Sequence, residues 1–159
     1  MALRTIRTLG DEILTKKAKE VKTMTPHLRE MIGDMFETMY ETDGVGLAAP
    51  QIGVLKRIVV IDCGEPYVLI NPVILEKDGV QTGSEGCLSV PGKLGVVTRA
   101  KHCKVRALNE NMEEYIIDGE DLLARCLQHE IDHLDGIVFT EKVEGELMDV
   151  PADLEDEEA

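Results

Sequence analysis

The chain has 159 residues, 43% hydrophobic and 30% charged, a composition typical of a folded domain whose apolar stretches are too short to span a bilayer. Its 31 acidic residues outnumber the 17 basic ones, and the net charge of −14 argues against nucleic-acid binding, which needs a basic face. The four cysteines form no C-x-x-C pair, so we expect reduced thiols in a cytoplasmic protein without a signal or transit peptide.

The first clear element is a long N-terminal amphipathic helix over about residues 26–42. Thr25 is a candidate N-cap, and Pro26 suits the first helical position because the missing N–H would have no partner there. From Leu28 to Tyr40, apolar side chains recur at the i, i+3, i+4 and i+7 spacing, which places them on one helix face. We therefore predict that this helix packs on a core.

The middle of the chain combines a glycine-rich segment at 44–51 with a series of predicted strands. The strands are short β-branched runs bounded by turn residues. They lie at 57–62, 67–70, 73–81, 95–98, 104–108 and 114–117. Because strands follow one another without intervening helices, we expect antiparallel sheets and an α+β fold.

A second helix is predicted over about residues 119–134, with Gly136 as its C-terminal stop. This helix carries an H-E-x-x-H motif. At about 100° per residue, His129 and His133 lie close together on a sector separate from the apolar stripe. Two imidazoles one turn apart can bind one metal ion. Glu130 is offset from both, so it can reach a metal-bound water rather than the metal.

A catalytic metal site usually has a third protein ligand. A metzincin would need a histidine where Phe139 stands, and a thermolysin-like site would need a glutamate on a later helix, which the acidic C-terminal segment does not favour. Cys87 is the better candidate, because glycines on both sides let the backbone approach closely. Cys126 is its rival, but three ligands from one helix rarely surround an ion, so we assign Cys126 to packing.

These elements predict a single catalytic metallohydrolase domain over residues 1–143, with antiparallel sheets packed around the central metal-binding helix. Residues 144–159 carry eight acidic side chains and no lysine or arginine. Such a segment has little apolar surface to bury, so we predict an acidic, flexible C-terminal tail.

Three segments resemble the three signatures of the peptide deformylase family and occur in the family's order. They are GVGLAAPQ at 44–51, EGCLS at 85–89 and QHEIDHLDG at 128–136. The general resemblance covers about residues 3–143. It implies a hydrolase that removes the N-formyl group from N-formylmethionine at the start of newly made polypeptides. The EGCLS form is similar to the bacterial and organellar type.

The resemblance also implies the metal and its ligands. Cys87, His129 and His133 would hold one ion per chain, with Fe²⁺ as the natural metal. Zn²⁺, Ni²⁺ or Co²⁺ are possible substitutes. The ligand types alone would have suggested zinc, so the expectation of iron comes from the family.

The implied reaction uses three further groups. A metal-bound hydroxide would attack the formyl carbon, with Glu130 as general base and then as general acid toward the leaving amine. The oxyanion would be stabilised by the side-chain amide of Gln51 and the backbone N–H of Leu88. Without the family, Gln51 would have been interpreted as a surface turn residue.

The family further suggests how the peptide binds. It would add as a short strand beside Gly44, Val45 and Gly46 and near residues 91–95, a form of β-augmentation. The methionine side chain would enter an apolar pocket lined in part by Val45 and Leu127. Leu127 fits a plain core position equally well.

Two alternatives stay open at this level. One is another H-E-x-x-H zinc peptidase, which would cleave an unformylated peptide. The other is a metal-holding interaction module, against which Glu130 and Gln51 argue, because a structural metal site needs neither a base nor an oxyanion donor.

Some bacterial relatives dock on the ribosome through a basic C-terminal helix. The acidic residues 144–159 argue against that mode of docking in this chain. Partners are therefore expected to be nascent formyl-methionyl polypeptides, with no nucleic acid and no membrane.

Overall fold

The computed structural model describes residues 2–150 and contains two α-helices within that range. Helix α1 spans Pro26–Glu41, and the Thr25 hydroxyl caps it by accepting a hydrogen bond from the Leu28 N–H. Helix α2 spans Asp121–Leu134. Neither helix is long and apolar enough to cross a membrane.

Two antiparallel sheets account for the eight strands of the described residues, and the predicted α+β class is confirmed. The larger sheet has the order β1-β2-β3-β6-β7. Its strands are β1 (Gly46–Ala48), β2 (Ile58–Asp62), β3 (Pro66–Asp78), β6 (His102–Leu108) and β7 (Glu114–Glu120). The smaller sheet has the order β4-β5-β8. Its strands are β4 (Gln81–Cys87), β5 (Val90–Arg99) and β8 (Val143–Asp149).

Strand β2 lies between the two helices and is buried on both faces. Val59 and Ile61 join the core that includes the apolar face of α2, whereas Ile58 and Val60 join the core beneath α1. Successive side chains of a strand point to opposite faces, so one four-residue run serves both cores. This arrangement explains why β2 is a continuous apolar run instead of alternating with polar residues.

Helix α2 stops where the chain must pass close to another segment. Gly136 has φ +77°, in the left-handed region that favours glycine. A methyl group at this position would lie 2.5 Å from the carbonyl oxygen of Thr15. The glycine therefore ends the helix and lets the chain that follows α2 pass close to Thr15.

The prediction of a flexible tail from residue 144 onward does not hold for residues 144–149, because they belong to strand β8. This strand pairs antiparallel with β5, with Val97 opposite Val143 and Lys93 opposite Asp149. Gly95 permits the approach, since a methyl group there would lie 2.5 Å from a methyl of Val143. The free edge of β5 supplies the backbone hydrogen-bond partners of β8. The acidic composition of this segment does not reveal that pairing. Residues 151–159, the rest of the predicted tail, lie outside the described residues.

Candidate metal centre and substrate cleft

Three predicted ligands converge at the junction of the two sheets with α2. Cys87 ends β4, and His129 and His133 lie one turn apart on α2. One ligand atom from each lies within 4.8 Å of the other two, and Cys87 Sγ is 3.2 Å from His133 Nε2. A register shift between Glu85 and Cys87 interrupts the pairing of β4 with β5. Such a bulge re-aims a side chain, and here it belongs to the strand end that carries the thiol.

Glu130 is buried beside these three residues without a complete set of hydrogen bonds. Its Oε2 lies 3.9 Å from His129 Nε2, while its Oε1 is buried with no hydrogen-bond partner among the described residues. Burial, which disfavours the charged carboxylate, raises the pKa of Glu130 to about 7. Strand β1 faces this carboxylate closely, because a methyl group at Gly46 would lie 2.5 Å from Oε2.

The electrostatics of the two histidines differ. Burial by itself lowers the pKa of His129, but Glu130, Cys87 and Glu85 outweigh it and raise the pKa to about 10. Burial and then the charge of His129 lower the pKa of His133 to about 3. Only a neutral imidazole binds a metal, so a metal ion here would displace the proton that the neighbouring groups favour on His129, whereas His133 is already neutral.

The donor set fits a transition-metal ion. A thiol and two imidazoles are the ligands that Zn²⁺ and iron accept, and all three come from elements fixed by the core. Three protein ligands leave a coordination position for water or substrate, and Glu130 stands beside the set without being one of its members.

A buried charge network holds His129 in place. Glu85 contacts Nδ1 of His129, so that nitrogen carries the proton and Nε2 is left facing the ligand set. The same carboxylate accepts hydrogen bonds from Arg99 at 2.7 and 2.8 Å and from Arg125 at 2.7 Å. Burial alone would raise the pKa of Glu85, but the hydrogen bonds from His129 and Arg99 hold it well below its usual range. Arg99 also binds Asp132 at 2.9 Å.

Sequence reasoning missed this network. Glu85 and Arg99 belong to facing strands β4 and β5, and Arg125 lies on α2. The signal available was Glu85 itself, a carboxylate two residues before the predicted thiol ligand and within the EGCLS segment. Its partners come together only through the tertiary fold.

The two predicted oxyanion donors lie next to Cys87. Gln51 is buried in the short 3-10 turn Ala49–Ile52, where its Oε1 accepts from the Ala48 N–H at 2.9 Å. Its Nε2 lies 3.0 Å from Ser89 Oγ and 3.5 Å from Cys87 Sγ. Gln51 is therefore a rigid buried amide, in contrast to the surface residue that its turn context alone suggested. Leu88 follows Cys87 in the turn between β4 and β5.

A cleft of about 430 Å³, here called the metal cleft, opens onto these groups. Predicted substrate residues Gly44, Val45 and Gly46 line one wall, and residues 86–88 and 90–93 line the other, with His129 and Glu130 also exposed to it. Leu127 is not among the lining residues. It is fully buried in the core beside α2, so its predicted pocket role stays a prediction.

Comparisons with known proteins agree with this geometry. The family model described as Polypeptide deformylase matches residues 3–147. A peptide deformylase of Agathobacter rectalis is 64% identical over 151 residues, covering 94% of this chain and 96% of that protein. One of Lachnoclostridium phytofermentans is 54% identical, covering 99% of each.

Solved structures give the same result. A peptide deformylase of Legionella pneumophila superposes with a TM-score of 0.87 at 48% identity, covering 89% of this chain and 86% of that one. A peptide deformylase of Synechococcus elongatus, solved in complex with actinonin, gives a TM-score of 0.86 at 43% identity, covering 88% of this chain and 78% of that one.

Proposed function

The chain belongs to the polypeptide deformylase family, enzymes that remove the formyl group from an N-terminal methionine, and we propose that α2 supplies both the metal ligands and the base of that reaction. The substrates are nascent N-formylmethionyl polypeptides. The family match disfavours the alternative of another H-E-x-x-H peptidase. The observation that carries this assignment of roles is the position of Glu130, which is buried beside three convergent ligands and has one oxygen without a partner in the described part of the chain.

We propose Fe²⁺ as the natural ion, held by Cys87, His129 and His133, with Zn²⁺, Ni²⁺ or Co²⁺ able to replace it. When bound, such an ion acts as a Lewis acid toward water and toward a carbonyl oxygen. The identity of the metal rests on the family resemblance, because a thiol with two imidazoles suits zinc as well as iron. The contribution of the chain is a buried, prearranged ligand set oriented by Glu85.

Glu130 is proposed to move the proton. Its unpaired oxygen accepts the proton of the attacking water and later delivers it to the amine nitrogen that leaves from the formyl carbon. A carboxyl group with a pKa of about 7 suits both steps at neutral pH, since it both binds and releases a proton readily there.

The developing oxyanion is proposed to bind the Gln51 amide and the Leu88 N–H. Gln51 Nε2 stands 3.5 Å from Cys87 Sγ, so this amide adjoins the ligand set that would hold the metal. Its own Oε1 is fixed by the Ala48 N–H, which holds the amide orientation before the substrate arrives. A donor fixed in advance stabilises the transition state without reorganising during the reaction.

The substrate backbone is proposed to extend the larger sheet at β1. This strand occupies one end of the strand order, so its outer edge has no partner strand within the described residues. Residues 44–46, which lead into β1, line the metal cleft. A peptide that pairs here by β-augmentation runs between β1 and the turn after β4, with its formyl end directed to Glu130.

The setting of the reaction follows from its substrates. We propose a cytoplasmic enzyme, because chains with a fresh formyl group are made there. The described C-terminal segment ends in strand β8, which contains three acidic residues and no lysine or arginine. We therefore do not propose that residues 143–149 dock on a ribosome in the way a basic C-terminal helix does. We also propose no nucleic-acid or membrane partner.

The test compares Glu130→Gln with the native enzyme in the absence of oxygen. Bound metal and hydrolysis of formyl-Met-Ala-Ser are measured together, with unformylated Met-Ala-Ser as the alternative substrate. We expect the variant to retain its metal and to lose about 10²- to 10⁴-fold in rate, the contribution of general acid–base catalysis. Glu120→Gln is the matched control, since Glu120 precedes the same helix and its side chain makes no capping hydrogen bond.

Two outcomes would contradict the assignment. A Glu130→Gln variant that loses its metal stoichiometrically would make Glu130 a ligand rather than a base. Equal cleavage of the unformylated peptide by the native enzyme would point to a general peptidase.

A further inference from the structure

Two thiols outside the metal centre contact each other. Cys63 follows the end of β2, and Cys126 lies on α2 one turn before Glu130. Their sulfur atoms are 3.4 Å apart. Cys63 is half-buried and Cys126 is buried. The proposed reaction uses neither sulfur.

The other two cysteines have different surroundings. Cys87 contacts His133 and is the only cysteine among the described residues that line the metal cleft. Cys103 is fully buried, and that burial raises the pKa of its thiol to about 11. Of the four cysteines, all of them within residues 2–150, only Cys63 and Cys126 have their sulfurs in contact with each other.

We propose that Cys63 and Cys126 form a redox site that reacts with hydroperoxides and closes to a disulfide. The Cys63 sulfur attacks one peroxide oxygen, the O–O bond breaks, and a sulfenic acid forms as water or an alcohol leaves. The Cys126 sulfur then attacks the Cys63 sulfur, the S–O bond breaks, and one water leaves. In sum, the two thiols lose two protons and two electrons, and the peroxide gains them.

The order of the two steps follows from access and charge. Cys63 is the more exposed of the two, and it is not among the residues that line the metal cleft. The hydrogen bond from Cys126 lowers the pKa of the Cys63 thiol, whereas the same contact and burial raise the pKa of Cys126. The thiolate is the reactive form, so Cys63 meets the oxidant and Cys126 resolves the product.

The disulfide would join two elements that build the substrate site. A disulfide bond of about 2 Å requires the two sulfurs to approach from their present separation of 3.4 Å. Asp62, the residue before Cys63, donates its N–H to the Val45 carbonyl in the cleft wall. Cys126 stands one turn before Glu130. The bond would therefore tie the helix that carries the base to the strand that supports the substrate.

Trypsin separates all four cysteines, which makes the site directly measurable. Cleavage after lysine and arginine leaves Cys63 in peptide 58–77, Cys87 in 78–93, Cys103 in 102–104 and Cys126 in 126–142. The experiment uses enzyme loaded with Ni²⁺, which avoids the reaction of ferrous iron with peroxide. The protein receives one equivalent of hydrogen peroxide and is then alkylated with iodoacetamide in urea, digested and analysed by mass spectrometry.

We expect peptide 58–77 to be linked to 126–142, with the loss of two hydrogens, while the Cys87 and Cys103 peptides are alkylated. Dithiothreitol should reverse the link. Cys63→Ser should abolish it, and the matched variant Cys103→Ser, which removes a thiol with no thiol partner, should retain it. The same treatment of the urea-unfolded chain gives the background of random pairing.

The proposal is overturned if Cys63 and Cys126 are both alkylated after an exposure that has oxidised Cys87. It is also overturned if Cys63 accumulates as a sulfinic acid while Cys126 stays free, because a resolving thiol in contact would prevent that. The mapping of the native protein decides the question even if Cys63→Ser folds poorly.

Discussion

Two clefts on this molecule differ in size and in chemistry, and the smaller one holds the candidate reactive groups. The metal cleft measures about 430 Å³, whereas a second opening of about 830 Å³ lies between α1, the start of β3 and the β6–β7 turn. We call the second opening the aromatic groove. Four of the five aromatic side chains of the protein line it: Phe36, Tyr40, Tyr67 and Tyr115.

The three tyrosine hydroxyls of the aromatic groove are paired with their neighbours. Tyr40 donates to Asp62 at 2.6 Å, Tyr67 donates to Glu65 at 3.2 Å, and Tyr115 donates to the Val68 carbonyl. In the metal cleft, by contrast, one oxygen of buried Glu130 has no hydrogen-bond partner within residues 2–150. Volume alone would select the wrong cleft. Reactive groups are recognised by convergence, burial and incomplete hydrogen bonding, because an unpaired buried polar atom is costly unless function uses it.

The largest effect on metal binding and activity is expected from Cys87→Ser in the metal cleft. A serine hydroxyl ionises poorly and is a harder ligand than a thiolate, so the variant should lose its metal and with it deformylation. We expect a loss of metal affinity greater than the roughly 10- to 100-fold that removal of an outer hydrogen-bond partner costs. Metal content and hydrolysis of the formyl-peptide, both measured without oxygen, provide the test.

Cys126→Ser is the matched control for that experiment. Its sulfur contacts Cys63 rather than the ligand set, so the variant should keep its metal. A metal-replete Cys87→Ser together with a metal-free Cys126→Ser would transfer the ligand role to Cys126.

An intermediate effect is expected from Gly46→Ala. The added methyl group would lie 2.5 Å from Glu130 Oε2, so the base must move although its ligand neighbours need not. A misplacement of about 1 Å can reduce the rate about 100-fold, so we expect a fall of that order with metal retained. The readout is kcat together with metal content.

Gly83→Ala is the control for the glycine substitution. It places a methyl group in strand β4 at an ordinary contact distance of 3.6 Å from Arg125, outside the metal cleft. Its activity should match that of the native enzyme. An unchanged kcat in Gly46→Ala would show that Glu130 tolerates displacement and would weaken its assignment as the base.

The smallest effect is expected in the aromatic groove. Tyr115→Phe removes one hydrogen bond to the Val68 carbonyl and leaves that carbonyl to water in an open groove. The free energy of unfolding should fall by about 0.5–1.5 kcal/mol, measured by urea denaturation. Deformylation should not change. A clear fall in kcat/KM would show that the groove is coupled to the reaction and would remove the contrast between the clefts.

Local signals were sufficient for some elements and not for others. Thr25 and Pro26 mark the start of α1 at the position found, because capping depends on neighbouring residues only. The H-E-x-x-H spacing places two imidazoles on one helix face for the same reason. Strand β8 could not be predicted in this way, since its order comes from the edge of β5 and not from its own acidic sequence.

The candidate site likewise contains residues that the sequence predicts and residues that only the tertiary fold brings together. Motif spacing and family resemblance together predicted that Cys87, His129, His133 and Glu130 lie close together, as they do in the structure. The salt-bridge partners of Glu85 were not, because Arg99 reaches it across a hairpin and Arg125 reaches it from α2. Gln51 was assigned to the site by family resemblance alone, because a glutamine in a turn suggests exposure, whereas the fold buries it.

The spacing of the ligands along the chain also constrains the order of folding. Cys87 and His133 are 46 residues apart in sequence, and Gln51 and Cys87 are 36 apart. Pairing over such separations is slow, because the loss of loop entropy precedes any gain from contacts. We expect helix α1 to form early from local contacts, and the ligand set to form only after β4 has docked on α2. Metal capture would then be a late event in the maturation of this enzyme.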